Sequence, residues 1–132
     1  MIKKLLILII AQFLMINSSI SLEKETTFNK KLFDKAQSEG KVVIVSSWIK
    51  YCSSCASQMK VLKTAKKDGE LLDINFNNIE YFSFDVTDKE IANLFDVKFQ
   101  TTLLIFKNNE EVYRSLGETT KDLIYEALKK SI

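Results

Sequence analysis

A run of four β-branched residues, Val42-Val43-Ile44-Val45, has no polar face. A strand that borders water on one side alternates apolar and polar residues, so an unbroken run reads as a strand buried on both faces. Such a strand needs helices covering both faces of its sheet, and a chain of 132 residues has room for one α/β domain of that kind.

The rest of the pattern supplies the layers. Asn29 can cap a first helix that buries Leu32, Phe33 and Ala36 and closes at Gly40. Beyond position 52, Cys55, Met59 and Leu62 share one helical face, with Lys60, Lys63, Lys66 and Lys67 on the rest. Tyr81 to Val86 reads as a second buried strand, and Asp88 can cap a short helix carrying Ile91, Leu94 and Phe95. Thr102 to Phe106 forms a third strand, and Asn108-Asn109 turns the chain into a fourth, Glu111 to Leu116. Thr119 or Thr120 then caps a last helix that buries Leu123, Ile124, Ala127 and Leu128. Gly40, Gly69 and Gly117 all fall where elements end. The order strand–helix–strand–helix–hairpin–helix predicts a central mixed sheet flanked by helices. From Leu22 onward there is no repeat, low-complexity stretch or linker.

The first 21 residues have a different character. Lys3-Lys4 precedes an apolar stretch from Leu5 to Ile16, broken only by Gln12, and Ser19 and Ser21 have the spacing a signal peptidase reads. The stretch is short for a membrane span, which needs roughly 20 apolar residues. Residues 1–21 are expected to be a secretory signal peptide cut after Ser21, with 22–132 as the domain. An uncleaved anchor would leave the domain on the same side of the membrane, and no cysteine follows that could carry a lipid. The expected location is a bacterial periplasm. Of 19 basic residues, Lys3 and Lys4 lie in this segment, which leaves 17 against 17 acidic. A neutral domain has no electrostatic footprint for nucleic acid.

The two cysteines occur as Cys52-Ser53-Ser54-Cys55, just after the buried strand and at the start of a helix. Unpaired N–H groups and the dipole at a helix N-terminus favour an anion, so this placement stabilises a Cys52 thiolate. A thiolate there can attack a disulfide, and Cys55, one turn along, can attack the resulting mixed disulfide. A purely structural disulfide is the first alternative, although so short a loop removes little unfolded-state entropy. Metal binding is the second. Structural zinc wants four Cys or His ligands, and the chain has no histidine and no other cysteine, so two chains would have to pool their thiolates. Ser53 and Ser54 can each donate a hydrogen bond to the thiolate or simply satisfy helix-start N–H groups.

With Val42 to Cys55 reading VVIVSSWIKYCSSC and Thr101 to Val112 reading TTLLIFKNNEEV, the chain resembles the thioredoxin superfamily over roughly Asn29 to Ile132. The resemblance implies the thioredoxin fold and dithiol–disulfide exchange, with Cys52 attacking and Cys55 resolving. Trp48 and Tyr51 would flank the site, in contact with substrate or packed on the active-site helix. Gln100 and Thr101 would occupy the family's substrate-binding loop. Three departures accompany it. Thr101 stands where the family places a cis-proline, and a cis bond before a non-proline costs about 3–4 kcal/mol, so a trans bond is expected. Ser46 stands where many thioredoxins bury an acid, which leaves water or Ser46 to take the Cys55 proton. Ser53-Ser54 matches neither the Gly-Pro of general reductants nor the Pro-His of strong oxidants.

The expected function is exported thiol–disulfide exchange, in the reducing direction, on cysteine-containing exported proteins. A membrane thiol–disulfide electron carrier would recharge it. A monomer without cofactor or metal is expected. The alternative is a binding module that holds a metal or an iron–sulfur cluster across a dimer through Cys52 and Cys55, motivated by the missing proline.

Overall fold

A computed structural model describes residues 24–65 and 78–131. The signal-peptide reading and the placement of Lys66, Lys67 and Gly69 lie outside these residues. The elements run α1 (Lys30–Ser38), β1 (Val42–Trp48), α2 (Ser53–Ala65), β2 (Ile79–Asp85), α3 (Lys89–Leu94), β3 (Thr102–Lys107), β4 (Glu110–Leu116) and α4 (Lys121–Ser131). The four strands form one sheet in the order β2-β1-β3-β4. β1 is parallel to β2 and antiparallel to β3, and β4 is antiparallel to β3. This is the mixed sheet flanked by helices that the pattern predicts.

The unbroken Val42–Val45 run has a direct explanation in the packing. Val42 and Ile44 join one core with Leu62, Leu103, Ile105, Ile124 and Leu128, under α2 and α4. Val43 and Val45 join a second core with Phe33, Phe82, Phe84, Phe95 and Leu104, under α1 and α3. Alternate residues point to opposite faces of a strand, and here each face meets a helix layer. The second core is rich in aromatic rings: Phe33 and Phe95 meet at 5.4 Å between centroids and Phe33 and Phe106 at 5.3 Å, both edge-on.

Both edges of the sheet are managed. Thr27 and Phe28 donate their N–H groups to the Ser83 carbonyl (2.8 and 3.0 Å), so residues before α1 cover the β2 edge. The β4 edge carries Glu110, Glu111 and Arg114, charges that discourage further strand pairing. Asn108 and Asn109 both take positive φ (52° and 64°), the backbone of a tight hairpin turn for which asparagine is suited.

The helix boundaries match their caps. Asn29 accepts from the Leu32 N–H at 3.0 Å, and Asp88 accepts from Glu90 and Ile91. The buried faces differ in detail from the periodicity. Leu32, Leu94 and Leu123 are about half exposed, whereas Gln37, Ala92 and Tyr125 are buried. The face of α2, with Cys55, Met59 and Leu62, is buried as the pattern predicts, while α1, α3 and α4 are each rotated slightly from the purely apolar optimum. For α1 the cause is visible: the Gln37 side chain accepts from the Asn109 N–H (3.2 Å) and ties the helix to the hairpin.

Urea denaturation separates the two classes of side chain. Phe84, wholly buried, is expected to cost about 3–5 kcal/mol when replaced by Ala. Leu32→Ala is expected to cost less than about 1 kcal/mol. Equal losses would contradict this placement of the core.

Candidate active site

The antiparallel pairing of β1 and β3 sets the C-terminal end of β1 beside the N-terminal end of β3, with Ser46 opposite Leu103. After Trp48 the chain turns at Tyr51, whose φ of 62° is left-handed, and α2 begins at Ser53. Cys52 therefore stands where a capping residue stands. Its Sγ accepts the N–H of Cys55 at 3.1 Å, as an N-cap oxygen would. A thiolate at this position gains both that hydrogen bond and the positive end of the helix. The two cysteines are disulfide-bonded, with 5.3 Å between Cα atoms. They differ in access: Cys52 is partly exposed and Cys55 wholly buried.

Thr101 faces this disulfide. Its Oγ1 lies 3.2 Å from the Cys55 sulfur, 3.6 Å from the Cys52 sulfur and 3.1 Å from Ser54 Oγ. Ser54 Oγ is in turn 3.3 Å from the Cys52 sulfur. Every described peptide bond is trans, that before Thr101 included. Thr101 instead takes a φ of 59°, a left-handed backbone that a β-branched residue rarely adopts and that costs about 1–3 kcal/mol. Its surroundings impose it. The Thr101 N–H donates to the Ser47 carbonyl (2.9 Å), and its carbonyl accepts from the Gly117 N–H (2.9 Å) and Gln58 Nε2 (3.2 Å). Ser47 Oγ donates to the Phe99 carbonyl at 2.9 Å and accepts the Thr102 N–H at 3.1 Å. The loop is held from both sides, by β1 and by α2.

The other candidate residues take peripheral positions. Ser53 is exposed, and among the described residues its hydroxyl bonds neither sulfur. Trp48 is partly buried and donates its indole N–H to the Glu25 carbonyl at 3.2 Å, so the segment before α1 fixes the ring. Tyr51 is 90% exposed, with the Lys50 ammonium over its ring at 5.1 Å. Gln100 is exposed and makes no hydrogen bond to another described residue, which leaves its backbone groups open to solvent.

Ser46 is wholly buried and shares a 2.6 Å hydrogen bond with the Tyr81 hydroxyl. Burial pushes the Tyr81 phenol above its ordinary range, so this pair is neutral at working pH. Among the described residues, no three His, Cys, Asp or Glu side chains come together as a metal site would need. Sequence reasoning missed Ser47 and Gln58. Gln58 left a faint signal, being the polar residue beside the apolar stripe of Cys55, Met59 and Leu62. Ser47 left none.

The thioredoxin family profile, described as "Thioredoxin", matches residues 19–130. A thioredoxin of the H type from Fagopyrum esculentum is 28% identical over 100 residues, which cover 74% of this chain and 78% of that protein. Among solved structures, Trxlp from Edwardsiella tarda superposes with a TM-score of 0.66 at 25% identity, covering 75% of this chain and 92% of that one. Fasciola hepatica thioredoxin gives 0.58 at 20% identity, covering 78% and 90%, a likeness of fold. The chain belongs to the thioredoxin family, and with its Cys52-x-x-Cys55 motif it is a thiol–disulfide oxidoreductase.

Proposed function

We propose that this oxidoreductase works outside the cytoplasm, reducing disulfides of other exported proteins through Cys52, with Cys55 as the resolving thiol. The observation that carries the assignment of roles is the difference in access. Of the two cysteines only Cys52 has exposed surface, and its sulfur sits at a helix N-terminus that favours the thiolate. Cys55 is buried behind it, where it meets the mixed disulfide from within the protein.

The surroundings suit a polypeptide partner. Tyr51, Phe99 and Leu116 are 90%, 59% and 63% exposed. Tyr51 precedes Cys52, Phe99 lies two residues before Thr101, and Leu116 pairs with Thr102 across the sheet. An apolar rim of this kind matches an extended segment flanking a partner's cysteine. Gln100 offers unpaired backbone groups to the same segment. Thr101 does not, because its own N–H and carbonyl are taken by Ser47, Gly117 and Gln58.

Export rests on the Lys-Lys, apolar and small-residue order of residues 1–21. A reductase on the outer side of a membrane must regain electrons, so a membrane thiol–disulfide carrier is its second partner. The reducing direction rests on the compact thioredoxin plan, in which no extra domain interrupts the elements between β1 and α4 among the described residues.

Two experiments in expressing cells test this reading. Cys55→Ser is expected to capture partner proteins as mixed disulfides through Cys52, and the captured proteins to be exported ones. Capture by Cys52→Ser instead, or of cytoplasmic proteins alone, would contradict it. Mass analysis of the envelope fraction is expected to find a chain beginning at Leu22, with the wild-type pair reduced after acid quenching and alkylation. An intact chain confined to the cytoplasm, or a pair held fully oxidised, would count against the export and direction respectively.

A further inference from the structure

Resolution by Cys55 requires its proton to leave, and among the described residues nothing charged is placed to take it. The Cys55 side chain is wholly buried. The elements packed around it bring several titratable groups to this end of the molecule. Tyr81 of β2 is neutral and bonded to Ser46. Glu118, before α4, directs its carboxylate to the Thr120 N–H. Lys60 of α2 and Lys121 of α4 lie on the outer side of those helices, around a shared surface depression. Lys50 sits over Tyr51. None of these bonds the Cys55 sulfur. Among the described residues, the group besides Cys52 within hydrogen-bonding reach of that sulfur is Thr101 Oγ1, at 3.2 Å.

The same hydroxyl lies 3.1 Å from Ser54 Oγ, and Ser54 is exposed. The three groups form a continuous line from a buried thiol to solvent: Cys55 Sγ, Thr101 Oγ1, Ser54 Oγ. Hydroxyls donate and accept at once, so such a line can move a proton with no ionised group inside the protein. The strained backbone of Thr101 is what aims its side chain into the line, and Ser47, Gln58 and Gly117 hold that backbone in place.

We propose that Thr101 and Ser54 form a hydroxyl relay that carries the proton of Cys55 between the buried thiol and water. The inference rests on thiol–disulfide exchange at Cys52 and Cys55, and it holds for either direction and any compartment. On the mixed disulfide, the Cys55 thiol gives its proton to Thr101 Oγ1. Thr101 gives its own proton to Ser54 Oγ, and Ser54 gives its own to a water molecule. The freed electron pair on Cys55 forms the bond to Cys52 Sγ. The bond from Cys52 to the partner's sulfur breaks, its electron pair leaves on the partner thiolate, and that thiolate takes a proton from solvent. Two electrons pass from the dithiol to the partner. Oxidation of the protein by a substrate ends with the relay reset, and its reduction runs the line backwards.

Single-turnover reaction of the reduced full chain with dithiobis(nitrobenzoate) tests this, because the two steps release separate coloured thiolates. The first reports attack by Cys52 and the second reports resolution by Cys55. In Thr101→Val the ratio of second-phase to first-phase rate constants is expected to fall about tenfold or more at neutral pH, less than the roughly 10²–10⁴-fold of a fully lost proton-transfer group because water takes part of the role. The deficit should close as pH rises and hydroxide takes the proton directly. Thr101→Ser should restore the ratio. Ser54→Ala should lower it as well, and the double variant should be no slower than Thr101→Val. An unchanged ratio in Thr101→Val, a deficit equal at every pH, or failure of Thr101→Ser to restore it would overturn the relay. If Thr101→Val does not fold, Ser54→Ala decides, and an unchanged ratio there overturns it. Absence of the first phase in the wild type would instead count against thiol exchange itself.

Discussion

Everything at the active site hangs from the central strand. β1 pairs with β2 on one edge and with β3 on the other, and residues Val43 to Val45 have no exposed surface. A strand so enclosed cannot shift register without moving its apolar side chains out of both cores. That fixes two things at its C-terminal end. Ser47 is set where its carbonyl and hydroxyl grip Thr101, Phe99 and Thr102. Trp48 is set so that the chain leaves the sheet, turns at Tyr51, and starts α2 with Cys52 as its cap.

The site built on that frame is almost free of charge. Where an acid is common in the family, Ser46 and Tyr81 share a buried neutral hydrogen bond. Where a proline is common, Thr101 brings a hydroxyl to the sulfurs. Burying an isolated carboxylate is costly unless it is paired, and a neutral arrangement avoids that cost. It also keeps negative charge away from the two sulfurs, where it would oppose thiolate formation. Among the described residues the groups at hand for proton movement are hydroxyls, whose transfer depends on geometry. The hydrogen bonds from Ser47, Gly117 and Gln58 supply that geometry by confining Thr101 to an unfavourable backbone.

Much of this is legible in the amino-acid sequence. The β-branched run, the Asn29 and Asp88 caps and the Asn108-Asn109 turn each rest on short-range chemistry, and each is found in the structure. The expectation that Leu32 and Leu123 are buried fails because periodicity cannot tell which edge of an apolar stripe meets the sheet. Gln37 shows the reason: a specific hydrogen bond to a distant hairpin turns its helix. At the site, the Cys-x-x-Cys spacing and its junction position were readable from sequence. The convergence of Ser54 and Gln58 with Thr101 was not, because Thr101 lies more than 40 positions from both and meets them only through the β1–β3 pairing.

The central claim is that Cys52 and Cys55 form a working dithiol–disulfide couple. Equilibrating the purified protein against glutathione buffers, then alkylating and weighing it, tests that claim most directly. The account predicts one cooperative two-electron transition, with both thiols appearing together, nearer the roughly −270 mV of thioredoxin than the roughly −120 mV of strong oxidants. A pair that stays closed below about −300 mV would be a structural staple. A protein whose two cysteines are modified independently, with no coupled transition, would likewise contradict the account.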